Sequence, residues 1–208
     1  MSKKLPPIKL SGIVKPEYSD GGIDRTECIF WLLASAFGNE ISIQGVGHDF
    51  VRDNKEFFLY TQQMGLSLGR HIYGADFSGY IENPVQIRAS EAEDLLAMLA
   101  VASCGASGIS KIEIDNPSLM PYAVLIKDMI CALDTDAEII SGSVYINSAG
   151  ILPGGTVETK NDWRIILACV LASTFAGSEI TLTEHEALSE IYPDFWTKLE
   201  ENSRERFL

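Results

Sequence analysis

Apolar and polar positions follow two periods along this chain, and the same order of periods recurs three times. Each time, a long apolar run predicts a buried helix, a glycine ends the run, and a short alternating segment predicts a strand. The clearest case predicts a helix over residues 162–175, an end at Gly177, a strand over 179–183 and a second helix that begins near Glu186.

The two earlier passes have the same plan. They predict helices over about 28–37 and 53–64, then over about 91–103 and 121–133. Ser90 is followed by Glu93 at the spacing of a capping box, which predicts a helix start there. Residues 5–15 predict a short strand or edge arm. The remaining predicted strands cover residues 41–43, 66–68, 79–81, 85–87, 109–114, 138–140, 143–146 and 156–158, with a hairpin turn at 141–142.

The repeat itself is marked by three glycines. Gly38, Gly108 and Gly177 lie about 70 residues apart, which is longer than the roughly 20–50 residues of a solenoid repeat. The pattern predicts an α/β (α+β) fold with one domain over residues 1–208, built from three βαβαββ units at about 12–82, 83–150 and 151–203. A chance recurrence, which any α/β chain could produce, is the alternative.

Charge restricts the classes of partner. The chain has a formal charge of −13 and a pI of about 4.6, so its surface repels nucleic acid and anionic lipid. No apolar run of about 18 residues predicts a membrane span. A small polyanionic substrate is also disfavoured unless local Arg and Lys side chains overcome the acidic field.

Cysteine usage favours a reducing compartment. Cys28, Cys104, Cys131 and Cys169 lie far apart, each inside an apolar helical run, with no CxxC pair. They predict four buried free thiols in the cytoplasm and no metal site. The Gly-x-Gly in residues 45–47 is too short for a dinucleotide motif, so no cofactor is predicted.

Two segments near the end of the chain resemble a known family. Asn161-Asp162-Trp163-Arg164 resembles the Asp-His-Arg helix start of the enolpyruvyl transferases, and residues 192–196 (Tyr-Pro-Asp-Phe-Trp) resemble their Lys-Ser/Thr-Phe/Tyr-Pro-Asp-Phe-Phe segment. The chain is most similar to the C-terminal domain of EPSP synthases, over about residues 12–203. The resemblance implies the inside-out α/β barrel fold of one half of such an enzyme. The other half has no counterpart in this sequence.

The resemblance also implies site residues. Asp94 holds the place of a catalytic acid/base, and Asp162 that of the Asp in the Asp-His-Arg motif. Arg164 matches the arginine that holds phosphoenolpyruvate, and a helix start there favours an anion. His48 and Asp49 lie in a loop where the family places residues that face the substrate.

Ordinary structural roles are the alternatives for each of these residues. Asp94 can be a first-turn charge, and Asp162 an N-cap. Arg164 can form a salt bridge with Asp162 or Glu190, Trp163 can be a packing residue, and His48 can lie in a plain surface loop.

Several positions depart from the family pattern. Trp163 replaces its His, and Glu190 replaces the Lys ahead of Tyr-Pro-Asp. The family's Lys-Glu-Ser/Thr-Asp-Arg stretch falls on residues 121–125, where Pro121, Tyr122 and Leu125 replace its Lys, Glu and Arg. Losing two phosphate contacts of about 1.5–3 kcal/mol each predicts affinity for phosphoenolpyruvate weaker by about a hundredfold or more.

Two functions of different classes follow. The first is a degenerate half-length domain that binds a ligand or partner. The second is one half of a split enolpyruvyl transferase whose other half is a separate chain. In both, we expect an anionic small molecule like phosphoenolpyruvate or shikimate-3-phosphate near Arg164 and Asp94. We also expect a homodimer or heteromer through the face that meets the second domain in the family.

Overall fold

The computed structural model describes residues 2–16, 18–19 and 22–204, which form thirteen strands and eight α-helices. The sequence plan of helix, turn and strand is visible three times in their order. Along the chain they are β1 (Lys3–Leu5), β2 (Ser11–Val14), β3 (Tyr18–Ser19), β4 (Gly22–Ile23), α1 (Arg25–Ser35), β5 (Glu40–Ile43), α2 (His48–Asp53), α3 (Lys55–Met64), β6 (Ser67–His71), β7 (Gly74–Ser78), β8 (Gln86–Arg88), α4 (Leu96–Ser103), β9 (Ser107–Glu113), α5 (Met120–Ala132), β10 (Asp136–Ile140), β11 (Ser143–Ala149), β12 (Gly155–Val157), α6 (Trp163–Ser173), β13 (Ile180–Leu182), α7 (Glu186–Ile191) and α8 (Phe195–Glu201).

Three helices form the interior. All eight residues of α4 are buried, as are ten of the eleven in α1 and nine of the eleven in α6. Both α1 and α4 pack against α6. A helix that is apolar on all sides can be stable in water only when other elements cover every side of it. The apolar runs of the sequence therefore place these three helices in the core.

Three sheets cover the central helices. Their strand orders are β2-β5-β7-β6, β8-β9-β11-β10 and β12-β13-β1. In each sheet one central helix connects two parallel neighbours: α1 joins β2 to β5, α4 joins β8 to β9, and α6 joins β12 to β13. The central helices therefore lie inside and the sheets lie outside, which is the inside-out α/β arrangement that the resemblance implies.

The third sheet is completed by the beginning of the chain. Strand β1 pairs antiparallel with β13, with Lys3 opposite Leu182 and Leu5 opposite Ile180. The short strand predicted within residues 5–15 is present as β2, but the prediction misses β1, which ends at Leu5 and belongs to a different sheet. Leu5, Ile8 and Leu10 are buried, so the segment is part of the core.

The start of the second central helix was also wrongly predicted. Ser90 does not cap a helix, because its backbone N–H donates to Asp115 Oδ1 at 3.0 Å and its hydroxyl donates to the other carboxylate oxygen. Two 3-10 turns, Ala89–Glu91 and Glu93–Leu95, come before α4, which begins at Leu96.

Elsewhere the differences are small shifts. The predicted loop before residue 53 contains α2, and the strand predicted at 79–81 lies earlier, as β7. The predicted hairpin turn is confirmed: Ser141 and Gly142 both have positive φ angles, 48° and 76°, which suit a tight two-residue connection.

The three repeat glycines have different local roles. Gly38 follows α1 with a φ of 73°, as expected of a residue at a helix end. Gly108 lies inside β9, where a Cβ atom would come within 2.7 Å of the Pro84 ring. Gly177 donates its N–H to Leu152 at 2.8 Å. The three glycines therefore share their spacing because the topology repeats. They do not share one backbone conformation that requires glycine.

The structure also tests the prediction of four buried thiols. Cys28, Cys104 and Cys169 are buried and Cys131 is exposed, so the prediction is wrong for Cys131; all four are free. Cys131 lies on the outer side of α5, which has one covered face only. In the described part of the chain, no helix has the length and apolar character needed to cross a bilayer.

Candidate functional site

The N-terminal ends of the central helices converge at one end of the molecule, which we call the site end. Asp24, the N-cap of α1, accepts a hydrogen bond from the Tyr192 hydroxyl at 3.1 Å. The Tyr192 ring lies edge-on to Trp163, the first residue of α6, with 5.9 Å between ring centroids. Arg164, next in α6, lies over the ring of Tyr122 in α5. The N-terminus of a helix favours an anion, because its free backbone N–H groups and the helix dipole point there.

Arg164 is held by a neighbour in its own motif. Its Nε and Nη2 atoms donate to the two carboxylate oxygens of Asp162 at 3.0 Å and 2.6 Å. The pair is largely shielded from solvent, with side chains 23% and 17% exposed. Asp162 also caps α6, because its Oδ1 accepts the backbone N–H of Arg164 at 2.9 Å. Both structural alternatives from the sequence, the N-cap and the salt bridge with Asp162, are therefore present.

Electrostatics at this pair favour the ionised state of both groups. Burial works to raise the pKa of Asp162, but hydrogen bonds from the Arg164 side chain and backbone outweigh burial, and the pKa is lowered. The same hydrogen bond raises the pKa of Arg164, against the effect of burial. The arginine and the carboxylate neutralise each other.

Tyr122 stands where the resemblance expects a general-acid glutamate. Its ring centroid is 3.8 Å from the Arg164 guanidinium carbon, which is a stacked cation–π contact. The side chain is buried, and burial raises the pKa of its phenol. Within the described residues the hydroxyl makes no well-formed hydrogen bond, although it lies near the Ala97 backbone at the start of α4.

Asp94 lies near this group but outside a helix. It is an exposed residue of the 3-10 turn Glu93–Leu95, which lies just before α4, so the predicted position in the first turn of the helix is wrong. Its negative charge acts on Arg164 and on Tyr122, and raises the pKa of both. Asp94 is therefore near enough to Arg164 for their charges to interact, and the roles that the resemblance implies for Asp94, Asp162 and Arg164 stay predictions.

His48 and Asp49 are placed in the first turn of α2. The nearest guanidinium nitrogen of Arg70 lies 3.3 Å from His48 Nδ1, and Asp49 forms an exposed salt bridge with Arg52 at 2.7 Å. These are local surface contacts of the first sheet and its following helix. None of them involves Arg164 or Asp162.

A buried ion pair at the site end has no counterpart among the predicted site residues. Lys198 Nζ, in α8, donates to Glu27 Oε1 in α1 at 2.9 Å, and the Trp31 indole N–H donates to the same oxygen at 3.2 Å. Glu27 is 1% exposed and Lys198 20%. Glu27 directly precedes the apolar run over residues 28–37, and this position in the sequence gives no sign of its burial or of its distant partner.

Two carboxylates act on the charge of Arg164. In the described part of the chain, Asp162 and Asp94 both raise the pKa of its guanidinium. Glu190, which replaces an expected lysine, is exposed in α7. No three His, Cys, Asp or Glu side chains among the described residues are grouped so that they could hold a metal ion.

The Asp162–Arg164 pair leads to a prediction about stability and pH. Asp162→Asn keeps an N-cap of similar quality but removes the charge. We expect it to lower the free energy of unfolding by about 1–2 kcal/mol at pH 7. Because the folded-state pKa of Asp162 is lowered, the stabilisation is present above the unfolded pKa of about 3.9 and lost as pH falls through the folded value. Urea unfolding should show a difference at pH 7 and almost none near pH 2; an equal difference at both would contradict the assignment.

Comparison with known proteins identifies a single family. The family model for EPSP synthase (3-phosphoshikimate 1-carboxyvinyltransferase) matches residues 22–199. The chain is 26% identical over 184 residues to the 3-phosphoshikimate 1-carboxyvinyltransferase of Methanopyrus kandleri, covering 85% of this chain and 42% of the relative. It is 25% identical over 181 residues to that of Clostridium acetobutylicum, covering 86% and 42%. The chain therefore spans about two fifths of the length of these relatives.

Solved structures agree on the fold. The enolpyruvyl transferase NikO from Streptomyces tendae superposes with a TM-score of 0.67 at 19% identity, over 87% of this chain and 43% of the other. EPSP synthase from Acinetobacter baumannii gives a TM-score of 0.67 at 18% identity, over 84% and 44%. The inside-out α/β fold is thus confirmed as that of about half of an enolpyruvyl transferase.

Proposed function

Because this chain belongs to the EPSP synthase family, we propose that it is a half-length, degenerate member that acts as a ligand- or partner-binding module. By itself it lacks full 3-phosphoshikimate 1-carboxyvinyltransferase activity. The observation that carries the proposal is Tyr122, which stands where the resemblance expects a general-acid glutamate and lies against Arg164. The guanidinium of Arg164 is paired with Asp162 along one edge and covered by Tyr122 on one face.

A phosphate or carboxylate ligand must compete with Asp162 for Arg164. The Asp162 carboxylate already accepts the two hydrogen bonds that a bound anion would accept from this edge of the guanidinium. It also lies only two residues from Arg164 in the chain. Displacing it leaves a partly buried carboxylate without its cation, which costs free energy. At the edge that Asp162 occupies, an anion therefore gains little from this arginine.

The neighbouring positions add no compensating charge. The resemblance expects a lysine at Glu190 and an arginine at Leu125, both cations, and a glutamate general acid at Tyr122. Each missing charge-assisted contact is worth about 1.5–3 kcal/mol, so two lost contacts weaken phosphoenolpyruvate binding by about a hundredfold or more. A phenol whose pKa is raised by burial is also a poor proton donor to a substrate at neutral pH.

A split enzyme is the second candidate, and exposed apolar residues at the site end favour it. The β6–β7 turn presents Ile72 and Tyr73 to solvent, and Ile191 is exposed next to Tyr192. Exposed apolar groups at one end suit an interface. In this alternative, a partner chain supplies the cations and moves the enolpyruvyl group from phosphoenolpyruvate to shikimate-3-phosphate together with this domain.

We further propose that the chain is one domain with units at about 12–82, 83–150 and 151–203. It forms a homodimer or heteromer through the site end, which light scattering at high concentration would test, since a monomer there counts against it. It works in the cytoplasm, which four free cysteines favour.

Isothermal titration calorimetry with phosphoenolpyruvate and with shikimate-3-phosphate tests the proposal. We expect dissociation constants in the millimolar range or weaker for the chain alone, and no product in a turnover assay. Arg164→Gln is the matched variant, and it should abolish any residual binding. Micromolar binding of either ligand, or turnover by the purified chain, would contradict the proposal that the chain is a degenerate family member.

The split enzyme needs a separate test. The half of a full-length relative that this chain does not match can be expressed alone and mixed with this chain. Activity of the mixture, lost in Arg164→Gln, would favour the second candidate over the first. If both halves are folded and their mixture is inactive, the split enzyme is contradicted and the ligand- or partner-binding module is retained.

A further inference from the structure

Strand β10 forms one edge of the second sheet. It pairs antiparallel with β11, and no described strand pairs with its other side. Ile140 and Ser143 flank the two-residue turn, so they form a hydrogen-bonded pair, and such pairs alternate along an antiparallel ladder. The backbone groups of Ala137 and Ile139 therefore point away from β11. The Ala137 carbonyl agrees with this direction, because it accepts the Cys131 thiol of α5 at 3.4 Å.

Most of the outward backbone groups of β10 are open. Among the described residues, nothing hydrogen-bonds to the N–H of Ala137 or to either backbone group of Ile139, and the Ala137 carbonyl has a second lone pair. Another edge of the fold is covered: on β2, the Ser11 N–H donates to the Asn202 carbonyl at 2.8 Å. An edge with open donors and acceptors can pair with one more strand.

A groove of about 600 Å³ lies beside this edge on the solvent-facing side of the sheet. Ile109, Ile140 and Tyr145 supply apolar surface to it, and the two isoleucines are 61% and 46% exposed. Asp136 and Glu138 supply its charged groups. Apolar surface this open, beside an unpaired strand edge, is typical of an interface with another chain.

The charges that line this groove are all negative. Neither Asp136 nor Glu138 forms an ion pair with another described residue, and both are exposed on the same side of β10. Lys111 lies across β11 on β9, opposite Tyr145, and its ammonium is 3.9 Å from Glu113. The two carboxylates at the edge are therefore available to cations from outside the molecule, and charge complementarity favours a basic partner.

A second copy of β10 does not meet this requirement. Antiparallel pairing of two copies over all five residues of the strand places Glu138 opposite Glu138 of the other copy. A register centred on Ala137 places Asp136 opposite Glu138. Like charges directly opposite each other destabilise a strand pair. A register centred on Ile139 avoids this contact but pairs only residues 138–140.

We propose that β10 binds an extended basic segment of a partner protein as a fifth strand of the second sheet. Main-chain hydrogen bonds form with Ala137 and Ile139, while lysine or arginine side chains face Asp136 and Glu138. Long cationic side chains also have apolar stems, which suit the exposed isoleucines of the groove. The surface does not include Arg164, so its test is separate from the test of the proposed anion site.

Three five-residue peptides with blocked ends test the proposal. They are Ile-Val-Lys-Val-Lys, the same peptide with glutamate in place of both lysines, and the lysine peptide with both valine nitrogens methylated. In antiparallel pairing the lysines oppose Glu138 and Asp136, and the valines exchange main-chain hydrogen bonds with Ile139 and Ala137. Titrated into the ¹⁵N-labelled chain, the lysine peptide should bind at least about tenfold more tightly than either of the others. Shift changes should centre on the amides of residues 136–140.

Paired variants separate the edge from the net charge of the chain. Asp136→Asn with Glu138→Gln should reduce the preference for the lysine peptide over the glutamate peptide to less than about twofold. Glu82→Gln with Glu201→Gln removes the same charge from two exposed positions outside β10 and should leave that preference unchanged.

Several results would overturn the proposal. They are equal affinity of the glutamate or methylated peptide, shift changes that centre elsewhere, or no binding of the lysine peptide at concentrations on the order of 10 mM. A mass that rises with concentration in the absence of peptide, together with shift changes at residues 136–140, would also overturn it, because the edge would then bind a second copy of the chain.

Discussion

Deleting residues 1–10 is expected to leave a chain that does not fold stably at 25 °C. The deletion removes Leu5, Ile8 and Leu10 from the core, and burying each is worth about 1.5–3 kcal/mol. It also removes β1 and leaves β12 and β13 as a two-stranded sheet, which is marginal in water. The combined loss of about 5–8 kcal/mol is comparable with the whole stability of a typical domain.

The experiment needs a deletion that leaves the strand intact. Removing Met1 and Ser2 alone spares β1 and the buried Leu5, Ile8 and Leu10, so the urea midpoint of this shorter deletion should match that of the full chain. Circular dichroism and urea unfolding then compare the two truncations. Cooperative unfolding of the longer deletion, within about 1 kcal/mol of the full chain, would show that the third sheet does not need β1.

The second large effect is expected for Lys198→Met. Glu27 is 1% exposed, and the variant takes away the ammonium group that lies 2.9 Å from its carboxylate. Breaking a buried pair from one side typically costs about 3–5 kcal/mol, because a buried charge loses its compensation. We expect a loss of about 3 kcal/mol in the free energy of unfolding, measured by urea at pH 7.

A double variant separates the buried charge from packing. Glu27→Gln combined with Lys198→Met removes both charges, and should recover part of the stability lost in Lys198→Met alone. Lys4→Met breaks an exposed pair with Glu179 and should cost less than about 1 kcal/mol. If Lys198→Met and Lys4→Met lower the free energy of unfolding by the same amount, the buried pair of Glu27 and Lys198 contributes no more stability than the exposed pair of Lys4 and Glu179.

The two ion pairs at the site end have a common consequence for function. Arg164 is paired with Asp162, and Lys198 is paired with Glu27. Two of the cations that this end of the fold possesses are therefore engaged by carboxylates of the same chain. A phosphorylated ligand would have to compete with Asp162 and Glu27 for these two cations, which agrees with the proposal of a degenerate module.

Part of the site could be predicted because its contacts are local. Asp162 and Arg164 are two residues apart at a helix start, so the motif itself indicates both the cap and the ion pair. Asp94 was placed near Arg164 only through the family resemblance. Its helix begins later than predicted, because Ser90 binds Asp115 in another loop. A capping-box pattern cannot reveal a competing partner that is distant in sequence.

The sequence by itself determined the family, the three apolar helices and the order of helices and strands, because these depend on local periodicity and short motifs. Only the tertiary structure decided three other features: β1 in the third sheet, Tyr122 beneath Arg164, and Glu27 paired with Lys198 across 171 positions. Each of these joins segments that approach each other only after the chain is packed. The physical reason is that a charge or a strand edge is satisfied by whichever group the fold brings near, and hydrophobic periodicity does not specify that group.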